Sequence, residues 1–188
     1  FFKPIRIDDI TILAPWNKTD RDGVRIIIDP GMAFGTGRHE STVTMLRLMK
    51  TIDIKGKRVL DLGCGSAILS LYAARLGAKR VYAVDNDFDA VMSARKNVLL
   101  NRTRKVKLIC SSLKNISGRF DVVLANLDIQ IFRQNHQHIA TLVGENGTLV
   151  LSGILCRDRK DLPPLFPDLH MSQTRQKNSW CGFVFTAP

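Results

Sequence analysis

Arg58-Val59-Leu60-Asp61-Leu62-Gly63-Cys64-Gly65-Ser66-Ala67 decides the fold of this chain. An apolar run ends in a carboxylate and two glycines, and helical composition begins at Ala67. The segment reads as the hand-over from a first parallel strand to a first crossover helix. In a doubly wound sheet, ligands bind there, beyond the carboxyl ends of the strands. Glycine at 63 and 65 removes side chains that would hold a ligand off the backbone. A dinucleotide fingerprint, G-x-G-x-x-G, needs glycine at position 68 and meets Ile68. The alternative D-x-G-x-G-x-G needs it at 67 and meets Ala67, the smallest departure available. About twenty residues further on, Asp85 ends a second apolar run, where a carboxylate can accept from both ribose hydroxyls. Asp87 and Asp89 read as helix-start residues. Each feature alone has a plain reading, a tight turn or a cap. Following two successive strands, they favour a nucleoside cofactor.

Outward from this segment the chain keeps a βαβ rhythm. Arg58 to Leu62, Arg80 to Asp85, Val106 to Cys110, Phe120 to Asn126 and Gly147 to Gly153 read as five strands, mostly uniformly apolar as strands covered on both faces should be. Ala67 to Leu76, Asp87 to Asn101 and Ile129 to Val143 read as the crossover helices. Asp158 to Leu165 suggests a short helix, broken by Pro163, Pro164 and Pro167. His170 to Lys177 and Trp180 to Thr186 then form two strands joined by Asn178-Ser179, a link too short for anything but an antiparallel hairpin. Ahead of the sheet, Ile5 to Trp16 reads as a strand pair. Ile26-Ile27-Ile28 leads into a glycine-rich loop, and a helix follows from roughly His39 to Lys50.

The 188 residues suit one domain, and 45% hydrophobic with 24% charged residues excludes a disordered chain. Lysine and arginine number 28 against 17 acids, a net charge of +11 that makes an RNA contact possible, although short clusters such as Arg102 to Lys105 also fit a scattered solvated surface. Cys64, Cys110, Cys156 and Cys181 lie far apart without zinc-ligand spacing, so no metal site is expected, and buried reduced thiols fit better than disulfides. Neither a signal peptide nor a membrane-spanning run is present, which gives a cytoplasmic expectation with no membrane partner.

With Asp29-Pro30-Gly31-Met32-Ala33-Phe34-Gly35-Thr36-Gly37-Arg38-His39-Glu40-Ser41-Thr42 added, the chain resembles the PrmA-type family, methyltransferases of ribosomal protein L11 and their protein-lysine methyltransferase relatives. The family pattern is D-P-G-x-A-F-G-T-G-x-H-x-T-T, followed at the right interval by the glycine motif. Leu76-Gly77-Ala78, Ala125-Asn126-Leu127, Leu151 to Leu155 and Trp180 extend the similarity along the whole chain. The resemblance implies a Rossmann-like, seven-stranded class I methyltransferase sheet, mostly parallel and closing in an antiparallel hairpin. It also implies S-adenosyl-L-methionine as cofactor and a protein amine, such as that of a ribosomal protein, as methyl acceptor. Phe34, Thr36 and Gly37 would line the cofactor and its methyl. Asp61, Gly63 and Gly65 would bracket its methionine part, and Asp85 would hold the ribose. Asn126 would face the incoming nucleophile as the catalytic residue, accepting from an amine and aiming its lone pair. His39 could serve as a base, but without a catalytic partner in sequence it reads better as a residue fixing the loop against its helix.

Departures from the pattern are Ala67, Arg38, Glu40, the Asn126-Leu127-Asp128 continuation, and Cys110-Ser111-Ser112-Leu113. In that last stretch Ser112 stands in for an acid that would accept from the adenine amino group. Weaker cofactor binding and another substrate are the expectations they raise. The chain is read as one catalytic domain over 1–188, with strands, loop and helix in 1–50 and a Rossmann-like core in 51–188; the family's upstream substrate-recognising domain is absent from it. A nucleic-acid methyltransferase is the first rival, disfavoured because Asn126-Leu127-Asp128 lacks the prolines and aromatic that stack a flipped base. A non-catalytic cofactor-binding homologue rests only on Ala67 and Ser112. A nicotinamide oxidoreductase is disfavoured by Ile68 and the hairpin.

Overall fold

The computed structural model describes residues 2–17, 22–30 and 37–188. A seven-stranded sheet forms the centre. Its strands are β4 (Arg58–Leu62), β5 (Arg80–Asp85), β6 (Val106–Cys110), β7 (Phe120–Asn126), β8 (Val143–Leu155), β9 (His170–Lys177) and β10 (Trp180–Thr186). They lie in the order β6-β5-β4-β7-β8-β10-β9. The first five pair in parallel, and β10 runs antiparallel between β8 and β9. This is the expected sheet and its closing hairpin. A smaller sheet precedes it, with β1 (Ile5–Ile7) antiparallel to β2 (Ile10–Leu13), and β2 parallel to β3 (Val24–Ile27).

Alternation along the strands sends their apolar side chains to two faces. Val59, Val122, Leu124, Val150 and Val184 pack on one side with α1 (Glu40–Met49), α2 (Ile68–Arg75) and the isoleucines of β2 and β3. Leu60, Val123, Leu149, Leu151, Phe183 and Phe185 pack on the other, around Phe132 of α4 (Ile129–Leu142). The remaining α-helix, α3 (Phe88–Leu100), covers β5 and β6 and buries Ala94 against Cys64, Ala67 and Ala83.

Helix starts follow local chemistry. Asp87 caps α3 by accepting from the Asp89 N–H, and Asp128 caps α4 by accepting from the Gln130 N–H at 2.8 Å. His39 caps α1 and stands edge-on to the Trp180 ring, 4.5 Å between centroids. The Asp128 departure from the family pattern is therefore a helix cap.

Three readings need correction. Residues 158–165 form no α-helix but two short 3-10 turns, Cys156–Asp158 and Pro163–Leu165, because adjacent prolines offer no N–H for helical hydrogen bonds. Strand β8 begins at Val143, directly after α4, and runs on to Leu155. Cys110 is exposed because β6 is the sheet's edge strand, and Cys156 is only half-buried; Cys64 and Cys181 are buried. Among the described residues, no helix is long and apolar enough to cross a membrane.

Candidate functional site

The chain leaves β4, builds β5 and β6 on one side, and returns to lay β7 on the other. At this switch point the strand ends splay, and a crevice of about 1020 Å³ opens over β4, β5 and β7. Gly63, Cys64 and Gly65 form its floor, Asp85 and Asn86 one wall, and Asn126 and Leu127 the other.

The glycine loop is shaped by contacts that side chains would spoil. Gly63 has φ +67°, and a Cβ there would lie 2.5 Å from Leu127 Cδ2. Gly65, at φ +51°, turns its N–H onto Asp85 Oδ2 at 2.9 Å. The other oxygen, Oδ1, accepts from the Asp87 N–H at 3.1 Å. Two backbone donors thus orient the Asp85 carboxylate at the crevice wall. A carboxylate has about four acceptor positions, so two remain for hydroxyl donors.

Asp61 occupies a different environment. It is fully buried, accepts from Ser70 Oγ at 2.5 Å, and leaves Oδ1 without a partner. Burial pushes its carboxyl up to about 6, against the opposing effect of the Ser70 hydrogen bond. It lies beneath the loop rather than on the crevice surface. Ala67 also lies beneath, fully buried in the left-handed conformation at φ 62°. The family's third glycine is conformationally replaced here, and its methyl group points into the Cys64–Ala83–Ala94 cluster rather than the crevice.

On the opposite wall, Asn126 Nδ2 makes a long 3.5 Å contact with Thr42 Oγ1, and its Oδ1 is buried without a partner among the described residues. Gly37 is buried at φ +83°, where a Cβ would lie 2.3 Å from Ile12 Cδ1. Phe34 and Thr36 lie outside the described residues. Ser112 is exposed at the start of a 3-10 turn and is not part of the crevice lining. The structure therefore brings Gly63, Gly65, Asp85 and Asn126 together around one cavity, with Asp61 below it, Gly37 packed against β2 and Ser112 outside.

Several contributors escaped the sequence reading. Thr42, Leu127, Met92, Ser93 and Lys96 line the crevice, as does Asp29, which pairs with Lys96. Beneath them, buried Asn97 accepts from the Asp29 N–H at 2.8 Å and donates to the Ser66 carbonyl at 2.9 Å. One amide thus ties the segment entering the front loop to the glycine loop. Asn101, one turn on, accepts from the Ile27 N–H at 2.9 Å and donates to its carbonyl at 2.6 Å. Two asparagines four apart in a helix that packs on a sheet were the available signal, since such polar groups are buried only with partners.

A family model described as "Ribosomal protein L11 methyltransferase (PrmA)" matches residues 1–188. The chain belongs to the PrmA family. It is 37% identical over 183 residues to a ribosomal protein L11 methyltransferase of Campylobacter concisus, and 38% identical over 192 residues to one of Porphyromonas gingivalis. These alignments cover 97% and 99% of this chain and 66% of each relative, so the chain spans slightly under two thirds of their length. The crystal structure of a ribosomal protein L11 methylase from Lactobacillus delbrueckii subsp. bulgaricus superposes with a TM-score of 0.92 at 25% identity, covering 99% of both chains. In PrmA terms, the fold is the class I methyltransferase fold expected from the glycine motif and the closing hairpin.

Proposed function

We propose that this chain is the catalytic unit of a cytoplasmic, S-adenosyl-L-methionine-dependent methyltransferase whose acceptor is an amine of a ribosomal protein. The crevice suits a nucleoside of this kind. Its volume falls in the range of ligand sites, and Asp85 presents an oriented carboxylate with acceptor capacity left for two ribose hydroxyls. The exposed Gly63 backbone offers close approach beside Leu127. In this reading Asp85 holds the ribose and Gly63 and Gly65 flank the methionine part. Asp61 supports the loop from below. Gly37 packs against Ile12 of β2, and Phe34, Thr36 and Gly37 would line the cofactor's methyl. Ser112 contributes only through the short turn after β6.

The observation that carries the proposal is Asn126, which lines the crevice across from the Asp85 cradle and whose buried Oδ1 has no partner among the described residues. A buried amide oxygen without a donor is costly, by about 1–3 kcal/mol, unless a ligand supplies one. An amine N–H is such a donor. Accepting it would hold the nitrogen and direct its lone pair into the crevice. The bound cofactor would supply a methyl group already activated by its sulfonium, so the protein's contribution is proximity and alignment. A lysine amine near pKa ~10.4 must arrive neutral, and loss of water around it in the crevice favours that form. The acids around the crevice, Asp29, Asp85, Asp87, Asp89 and Asp128, attract a cationic cofactor and a cationic acceptor. His39 acts as the cap of α1, a positioning role.

The test is incubation with methyl-labelled cofactor and either ribosomal proteins or RNA, followed by location of the label. Label on protein amines is expected. Label confined to RNA would replace the acceptor, and calorimetric binding of the cofactor without transfer to any acceptor would leave a non-catalytic binding module.

A further inference from the structure

Charge is segregated along the strand direction. The acids lining the crevice stand at the carboxyl ends of the parallel strands. At the amino ends, Lys57 and Arg58 open β4, Lys79 and Arg80 open β5, and Arg104 and Lys105 open β6. Backbone hydrogen bonds draw these pairs side by side: Arg58 and Arg80 are register partners, the Arg80 N–H reaches the Lys57 carbonyl, and the Val81 N–H donates to the Lys105 carbonyl. Neighbouring strands lie about 4.8 Å apart, so cationic residues stand at the starts of three adjacent strands. Among the described residues, only Lys57 of these six is ion-paired, at 3.9 Å to Asp53. Asp121, which accepts from the Arg58 backbone, and Glu145 are the other acids at this end.

Beside these strand starts a groove of about 300 Å³ is lined by Arg75, Arg102, Arg104 and Lys105 and by no acid. The Arg58 guanidinium lies apart from this groove on the sheet's other face, resting on the rings of Phe120 and Tyr82, 5.4 and 5.8 Å from their centroids. The Arg80 guanidinium donates to the Arg104 carbonyl at 3.1 Å, and the cations along this acid-free groove, none of them ion-paired among the described residues, match a ligand carrying one negative charge per repeat with paired oxygens, which describes a phosphodiester chain.

We propose that this basic pole docks RNA, and that RNA held there is an anchor, not a methyl acceptor. Strand β5 has six residues, which at roughly 3.3 Å each separates the two ends by about 20 Å. The carboxylates around the crevice repel phosphates from the reacting centre. Docking RNA at one end would leave the crevice free for a protein of the same ribonucleoprotein. This assignment of a partner rests on the reading of a ribosomal-protein acceptor; the RNA contact itself is measured separately.

Binding of a fluorescein-labelled RNA hairpin of about 30 nucleotides is followed by anisotropy between about 50 and 200 mM salt. The quadruple variant Lys79→Glu, Arg80→Glu, Arg104→Glu, Lys105→Glu should weaken binding about 100-fold or more and lower the salt slope by about 3. A control, Arg157→Glu, Arg159→Glu, Lys160→Glu, Arg175→Glu, makes the same change of net charge on exposed residues elsewhere and should weaken it less than about 10-fold. Equal losses in the two variants, or none in the first, would overturn the assignment, as would displacement of the RNA by poly-glutamate at equal charge, which would point to an acidic protein. The milder Arg104→Gln, Lys105→Gln pair covers a folding failure of the quadruple variant and should weaken binding about 5- to 20-fold; unchanged binding would also overturn it. Calorimetry with S-adenosyl-L-methionine on the same variants separates the two readings, because lost cofactor binding with intact RNA binding would count against the methyltransferase reading alone.

Discussion

The two walls of the crevice are built to different degrees of completion. On the β4–β5 side the chain orients the groups that line the cavity: Gly65 and Asp87 N–H groups hold Asp85, and Asn97 ties Ser66 to Asp29, while the one oxygen without a partner among the described residues, Asp61 Oδ1, lies beneath the floor. On the β7 side, among the described residues, Asn126 has only the long contact to Thr42 and a buried oxygen with no donor. A wall whose carboxylate is already oriented by backbone donors presents a preformed shape, suited to a cofactor that is always the same. A wall with an unpaired acceptor is completed by what arrives, as expected of the side that meets a substrate.

The sharpest way to break this contrast is Asn126→Ala. Labelled-methyl transfer should fall by about 1000-fold, comparable to losing one aligned polar group at a reacting centre, while calorimetric affinity for S-adenosyl-L-methionine stays within about 3-fold. A variant that transfers normally would remove the asymmetry between the walls.

Asp61 supplies the next effect, through pH. Its folded carboxyl is raised from 3.8 to about 6 by burial, so the native state keeps a proton that the unfolded chain has already lost. Stability contributed by that proton is present below pH 3.8 and is lost as pH rises through about 6, up to roughly 3 kcal/mol. The difference in unfolding free energy between the wild type and Asp61→Asn should therefore fall by that amount between pH 4 and 6 in urea titrations. Parallel pH profiles would refute the buried, protonatable state.

Asp85→Ala tests the finished wall directly. Loss of a charged acceptor for ribose hydroxyls corresponds to about 2 kcal/mol, or an affinity for the cofactor about 30-fold lower. An unchanged dissociation constant would detach Asp85 from the ribose. The smallest effect belongs to Ala67→Gly. Relief of the left-handed strain, about 1–2 kcal/mol, is offset by a lost buried methyl and a freer unfolded chain, so stability should move by less than about 1 kcal/mol. Cofactor affinity should not move, since Ala67 faces away from the crevice; a rise of ten-fold or more would show that the third glycine matters here.

The glycine motif, the strand-ending Asp85 and the closing hairpin were legible because each is local: a period of two, a backbone conformation or a turn length fixes it. Helix caps were legible for the same reason at Asp87. The short helix after β8 was misread because composition outweighed the consecutive prolines. Ser112 was assigned to the site from the family pattern, and it lies exposed at the start of the 3-10 turn after β6. Asn97 and Asn101 were missed because a helix sequence does not reveal which distant backbone its polar face will meet.

By itself the sequence determined the order of strands and helices, the parallel sheet with its antiparallel end and the family, since these depend on chain-local patterns and motif spacing. Tertiary packing alone decided that Asp61 sits under the floor while Asp85 faces the cavity, that Asn126 keeps an open acceptor among the described residues, and that three cationic strand beginnings come to stand side by side. Burial, hydrogen-bond satisfaction and charge density are properties of neighbours in space. Residues 61 and 85, or 58, 80 and 105, become neighbours only when the sheet assembles.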